Sequence, residues 1–158
     1  TAGHVAEAAG ALLGQVAEGG RVRLVFWTPT RIVDDGRLVH RPRLGPLVRR
    51  LLERLDALRG EYAVEAPVAG REELAALADG VAMVQDFTQW IDLESGSRRL
   101  GRSTPVGGFV GTATYEAGAE TWEALLPYLV WGQEVHAGKN ATKGAGWYEV
   151  QAVPASGV

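Results

Sequence analysis

Residues 131–148, WGQEVHAGKNATKGAGWY, hold the side chains best suited to chemistry on an anion. Gly132, Gly138, Gly144 and Gly146 lack a Cβ, which lets a ligand come close to the main chain and leaves backbone N–H groups able to attract phosphate. Lys139 and Lys143 add positive charge to the same stretch, and His136 adds an imidazole whose ordinary pKa of about 6.5 suits proton transfer near neutral pH. An apolar stretch precedes these residues and a strand-like run, 147–153, follows them. The stretch therefore reads as a glycine-rich loop between a helix and the last strand.

Two familiar phosphate motifs do not fit. A Walker loop places four residues between its glycines and Ser or Thr after its lysine, whereas Gly132 and Gly138 enclose five and Lys139 is followed by Asn140. A dinucleotide fingerprint needs a third glycine and a following helix, whereas Gly144-Ala145-Gly146 leads into a strand. The same glycines would also serve to cap a helix and turn the chain, and composition does not separate that role from ligand binding. Asn140-Ala141-Thr142 forms a glycosylation sequon, but nothing else in the sequence points to secretion.

The elements that hold this loop must come from a chain of 158 residues, a length that fits one domain. Its 46% hydrophobic content supplies a core, and no apolar run approaches the roughly 20 residues a membrane helix requires. The absence of cysteine removes disulfides, thiolate metal sites and cysteine nucleophiles, and fits a cytoplasmic protein. No charged-then-apolar leader opens the chain and no Met precedes Thr1, which reads as a processed or excised start. Net charge is −3, unevenly spread: residues 1–60 carry ten arginines against six acids, and residues 61–158 carry six basic residues against thirteen acids. A nucleic-acid site would have to be a local patch.

In order, 5–18 reads as an alanine-rich helix closed by Gly19-Gly20. RVRLVF at 21–26 alternates at period two as a strand that Trp27-Thr28-Pro29 ends. The connection 30–42 carries Arg31, Arg37, His40 and Arg41, a cationic group that fits either a solvated loop or an anion contact. Leucines at 44, 47, 51, 52, 55 and 58, with Val48, mark one face of a helix over 44–58, and Arg49 with Glu53 on its outer side makes an i,i+4 pair. A linker over 60–70 and a short helix over 71–78 follow. The alternation over 83–93 places Val84, Asp86, Thr88 and Trp90 on one face of a long strand, and Glu94-Ser95-Gly96-Ser97 supplies a turn. The return strand, 98–116, is interrupted at Pro105 and Gly107-Gly108, with Arg98, Arg99 and Arg102 near the hairpin tip. Acids at 120 and 123 open the last helix, where Pro127 lies in the first turn or bends it. From residue 21 the order is strand, helix, strand, strand, helix, strand. This is the ferredoxin-like βαββαβ arrangement of the α+β class, an antiparallel sheet with both helices on one face. The expected division is an N-terminal helical segment or remnant of a preceding domain at 1–20, the ferredoxin-like domain at 21–153 and a tail at 154–158.

RLVFWTPTRI at 23–32, GRLVHRP at 36–42 and the arginine-bearing helix resemble the opening of the C-terminal domain of the CRISPR-associated endoribonucleases of the RAMP superfamily, which process precursor CRISPR RNA. STPVGGFVGTATYE at 103–116 is similar to that family's Gly-Gly-Phe-x-Gly strand, and LLPYLVWGQEVHAGKNATKGAGWYEV at 125–150 to its helix and glycine-rich loop. The resemblance spans nearly all of the chain after residue 21. It implies a RAMP domain that binds CRISPR repeat RNA, within proteins that usually carry two such domains side by side. The partner of this chain is then a second ferredoxin-like domain or a second copy of the chain. It also implies cleavage without metal or cofactor, in which the ribose 2′-OH attacks the adjacent phosphate and leaves a 2′,3′-cyclic phosphate. Histidine is commonly the base, and lysine or arginine stabilises the phosphorane. In the family that histidine generally sits in the N-terminal domain. A binding subunit without cleavage and a generic ferredoxin-like ligand-binding domain therefore stand as alternatives.

The resemblance and the residue types together nominate Gly138, Lys139, Asn140, Lys143, Gly144 and Gly146, with Arg41, Arg98, Arg99 and Arg102, as RNA contacts. Asn140 stands where the family has glycine, and asparagine also enters left-handed backbone conformations. Lys143 stands where the family often has an aromatic or apolar residue. His136 and His40 are the candidate bases, His136 also fitting a helix-end imidazole that holds the loop. Trp131 and Trp147 are read as core.

Overall fold

Val22, Leu24 and Phe26 alternate with Arg21, Arg23 and Val25, and this period of two becomes the central strand of the sheet. The computed structural model describes residues 2–16, 20–62, 70–92, 94–95, 104–105, 107–135 and 147–153. The elements run α1 (Ala2–Val16), β1 (Arg21–Thr30), β2 (Ile32–Asp34), β3 (Arg37–Val39), α2 (Leu44–Tyr62), α3 (Arg71–Asp79), β4 (Ala82–Ile91), β5 (Glu94–Ser95), β6 (Thr104–Pro105), β7 (Gly108–Glu116), α4 (Ala119–Val135) and β8 (Tyr148–Ala152). The main sheet has the order β4-β7-β1-β8 and every neighbouring pair is antiparallel. Elements β1, α2, β4, β7, α4 and β8 reproduce the expected βαββαβ order, with α2 and α4 covering one face.

The core lies between that face and the helices. Val22, Leu24, Phe26, Phe109, Ala113, Tyr115, Tyr148 and Val150 project from the strands, and Leu47, Leu51, Leu55, Trp122, Leu125 and Leu129 meet them from α2 and α4. Phe26 packs edge-on to Phe109 with ring centroids 5.0 Å apart, a favoured aromatic geometry. Helix α1 packs on α4 and β8 through Val5, Ala9 and Val16. The Trp122 indole donates to the Gly20 carbonyl at 2.7 Å and ties the α1–β1 junction to the start of α4.

Several local expectations change. Strand β1 does not stop at Trp27 but runs through Pro29 to Thr30. Its pairing with β7 skips from Phe26 to Thr30, so the missing N–H of Pro29 falls where no ladder bond is made. The connection 30–42 is not a plain loop, because it contains the β2–β3 hairpin. Asp35 and Gly36 turn it with φ of 51° and 73°, the pair of positive angles that a two-residue hairpin turn requires. Helix α2 continues to Tyr62, so Gly60 belongs to it and not to a linker. Glu94 and Ser95 pair with Pro105 and Thr104 instead of forming the turn, because the antiparallel pairing continues past Ile91 as β5–β6. Val84 sits at a register shift between Met83 and Gln85, which takes it out of the alternation with Asp86, Thr88 and Trp90. Helix α1 is described over Ala2–Val16, starting before residue 5, and α4 contains Pro127 in its interior.

Gly132 of α4 sits where the Tyr148 side chain enters the core. The Tyr148 hydroxyl donates to the Leu129 carbonyl at 2.8 Å, and a Cβ on residue 132 would overlap that hydroxyl and lie 3.0 Å from Leu51 Cδ1. Gly132→Ala is expected to cost about 2–3 kcal/mol by overpacking. Tyr148→Phe alone should cost about 1 kcal/mol for the lost hydrogen bond. The double variant, measured by urea unfolding, should lose less than the sum of the two, because removing the oxygen opens room for the new methyl.

Candidate nucleic-acid interface

The topology gathers the cationic segments at one end of the sheet. Strand β1 leaves the sheet there at Thr30, which pairs with Phe109, and β4 ends there at Ile91, opposite Gly108 of β7. Strand β8 begins there at Tyr148, opposite Phe26. Each of the three chain segments rooted at this end carries basic residues: 31–43, 92–107 and 136–146. The Arg31 guanidinium fastens two of these roots by donating to the Gly107 carbonyl at 3.3 Å.

The first segment is fixed by Arg49. Its Nε and Nη2 donate to the two oxygens of Asp34 at 2.9 and 2.7 Å, a bidentate pair, while Nη1 reaches both oxygens of Asp79 at 2.9 and 2.8 Å. One side chain of α2 therefore pins both the β2–β3 hairpin and the end of α3. The expected Arg49–Glu53 pair is replaced, because the two better-placed carboxylates take the guanidinium and Glu53 accepts from Arg50 instead. Hydrogen bonding to Arg49 holds the Asp34 carboxyl below the usual range, against burial, which acts to raise it. A carboxyl depressed in the folded state contributes stability in full above its unfolded value of about 3.9, and loses it as pH falls through the lower folded value. Asp34→Asn should therefore cost about 1–2 kcal/mol at pH 7 and progressively less in thermal melts below about pH 4.

His40 and Arg41, nominated from sequence, lie on the helix-facing side of β4. The His40 ring packs on Trp90 with centroids 4.7 Å apart, and Arg41 Nε donates to Asp86 at 3.3 Å. Burial acts to raise the Asp86 pKa, but hydrogen bonds from Thr88 and from Arg41 outweigh it and bring the carboxyl below its ordinary value. The buried Tyr115 hydroxyl donates to the Pro42 carbonyl, so this linker is fastened at three successive residues. Arg41 remains 69% exposed and can offer its outer nitrogens to a phosphate. Among the described residues His40 has no carboxylate to orient its imidazole.

His136, Gly138, Lys139, Asn140, Lys143, Gly144, Gly146, Arg98, Arg99 and Arg102 lie outside the described residues. What flanks the glycine-rich stretch is firmly built. The Val150 N–H donates to the Gln133 side chain at 2.6 Å, and Tyr148 reaches Leu129, so β8 is stapled to the last turns of α4. The Trp147 N–H donates to Thr28 Oγ1 at 2.9 Å, and the Trp27 N–H donates to the Trp147 carbonyl at 3.0 Å. Thr28 and Gln133 lie inside the segments 23–32 and 125–150, but nothing in the sequence marks either as a contact of β8 or its approach. Trp147 is 48% exposed and not core, since Tyr148 takes the inward position, whereas Trp131 packs half-buried against the core.

A single ferredoxin-like sheet with basic segments rooted at one end and a glycine-rich connection before its last strand defines a RAMP-type domain. The family model for the CRISPR-associated endoribonuclease Cas6 matches residues 24–148, and the chain belongs to that family. Among solved structures it is similar to Thermus thermophilus Cas6, with TM-score 0.64 and 17% identity over 90% of this chain and 57% of that one. A second Cas6, in a product complex, gives 0.62 and 18% over 91% of this chain and 56% of that one. A partial Cas6-RT-Cas1–Cas2 complex gives 0.70 and 18% over 97% of this chain and 26% of the other. The chain thus spans a little over half the length of the solved Cas6 chains. No curated protein matches it. No helix among the described residues is long and apolar enough to cross a membrane.

Proposed function

We propose that this chain binds CRISPR repeat RNA as the C-terminal part of a metal-independent endoribonuclease that processes precursor crRNA in the cytoplasm. The observation that carries this reading is that the strand ends from which the basic segments 31–43, 92–107 and 136–146 leave all lie at one end of the sheet, in a chain of the Cas6 family. The residues proposed to contact the phosphodiester backbone are Arg41, the arginines Arg98, Arg99 and Arg102 of the second segment, and Gly138, Lys139, Asn140, Lys143, Gly144 and Gly146 of the third. Backbone N–H groups and lysines there would neutralise the phosphates, and the same groups would stabilise charge on a phosphorane. His136, which follows α4 in sequence, and His40, whose ring packs on Trp90, are the candidate bases in this chain. The general base of the family's reaction is otherwise contributed by a second ferredoxin-like domain or a partner copy.

The test is an end-labelled repeat RNA incubated with the chain in EDTA and run on native and denaturing gels. A retarded band supports the binding role. A defined cut with a cyclic-phosphate end would place a complete active site in this chain and make His136→Ala the first variant to examine. Absence of any shift with folded protein would sink the proposal.

A further inference from the structure

A single short stretch, Trp27 to Arg31, joins the roots of all three basic segments. Its register is irregular: Phe26 pairs with Gly111 and Thr30 with Phe109, so Trp27, Thr28 and Pro29 stand opposite the single residue Val110. This bulge lets the stretch bond in two directions. Toward β8, Thr28 Oγ1 accepts the Trp147 N–H at 2.9 Å, and the Trp27 N–H donates to the Trp147 carbonyl at 3.0 Å. Toward β7, Arg31 Nη1 donates to the Gly107 carbonyl at 3.3 Å. Thr30, fully buried, lies against Gly108, where a Cβ would overlap the Thr30 carbonyl. The Thr30 hydroxyl donates to the Thr28 carbonyl at 3.2 Å and links the two directions.

We propose that Thr28 and Arg31 are positioning residues for RNA binding. Thr28 fixes the point at which the chain re-enters the sheet at Trp147, and Arg31 fixes the point at which 92–107 returns to it, so the basic segments leave from one rigid base. This role rests on the RNA-binding reading above. Two observations single out these side chains. First, both bonds lie beyond the last regular pairs, Phe26 with Tyr148 and Thr30 with Phe109, where the strand ladders no longer fix the main chain. Second, Thr28 and Arg31 are only partly buried, and the Trp27–Trp147 main-chain bond remains without them, so their loss should shift the roots and leave the sheet standing. Groups that meet a ligand lose much of their interaction when displaced by about 1 Å, which makes such supporting bonds decisive for affinity.

The test titrates repeat RNA at four salt concentrations against the unsubstituted chain, Thr28→Val, Thr28→Ser, Arg31→Met and Arg31→Lys, each shown folded by circular dichroism. Thr28→Val keeps the branched shape and removes the acceptor; Thr28→Ala replaces it if it does not fold. Thr28→Val and Arg31→Met should each weaken binding about 3- to 10-fold with an unchanged salt slope, and Thr28→Ser and Arg31→Lys should restore it. The Thr28→Val loss should vanish when combined with Lys139→Ala and Lys143→Ala, because a displaced segment then has no contacts left to lose. The Trp147 amide should also exchange its hydrogen faster in Thr28→Val, a change read without RNA. Unchanged affinity in Thr28→Val and Arg31→Met, full additivity with the lysine variant, or unchanged Trp147 exchange overturns the positioning role alone. A slope reduced by about 0.7 in Arg31→Met would make Arg31 a direct phosphate contact and overturn its part. If the unsubstituted chain binds no repeat RNA, the reading on which this role rests falls with it.

Discussion

Alanine at Gly111 is expected to lower the unfolding free energy by about 3–5 kcal/mol, because a methyl there meets both an unfavourable backbone angle and a neighbouring strand. Gly111 lies in β7 between β1 and β4 with φ of 117°, a conformation that side-chain-bearing residues rarely adopt. A Cβ there would overlap the Phe87 carbonyl oxygen and come within 3.1 Å of Thr88 Cα, both backbone atoms of the neighbouring strand. Neither can turn aside as a side chain would, so β4 must move or part from β7. Gly10→Ala is the matched control: no atom lies within 4 Å of its Cβ position in α1, and the helix should gain about 0.5–1 kcal/mol. Thermal melts of the two variants should therefore move in opposite directions.

Lys139→Ala combined with Lys143→Ala is expected to weaken binding of repeat RNA about 10- to 100-fold near physiological salt, while leaving the melting temperature within a degree or two. Two lost phosphate contacts should also reduce the slope of log affinity against log salt by about 1.4 for a single strand. Filter binding at four salt concentrations measures both quantities. Equal slopes for the double variant and the unsubstituted chain would remove these lysines from the interface and leave the glycine-rich stretch a purely structural connection.

The order of strands and helices was readable because their patterns are strong. The leucine face of α2 and the alternation in β1 and β4 each point to one element type, and burial then fixes the sheet register. Where reading failed, a louder local signal masked a quieter one. The β2–β3 hairpin carries Asp35-Gly36 between short apolar runs, a hairpin signature that the surrounding arginines obscure in the sequence. The four-residue spacing of Arg49 and Glu53 on a helix is visible in sequence, whereas Asp34 and Asp79 become neighbours of Arg49 only when the chain folds. The exposed position of Trp147 depended in the same way on Tyr148 being the inward residue. For the candidate interface, residue types were legible in the glycine-rich stretch, but the meeting of three basic segments at one sheet end is a property of topology alone.

The place of β1 in the sheet has a consequence for synthesis. Within this sheet the first strand in sequence is the one that ends up flanked on both sides, by β7 (Gly108–Glu116) and β8 (Tyr148–Ala152). Its two hydrogen-bonding edges, with the apolar side chains Val22, Leu24 and Phe26, therefore wait for β7 and then for β8 to emerge from the ribosome. Until β7 is made the chain can complete only local contacts such as the β2–β3 hairpin, α2 and α3, and one edge of β1 stays unpaired until β8 follows, an apolar strand of the kind chaperones hold. Truncation before residue 148 should for the same reason yield aggregation-prone material, because loss of β8 leaves the apolar strand β1 as an exposed edge.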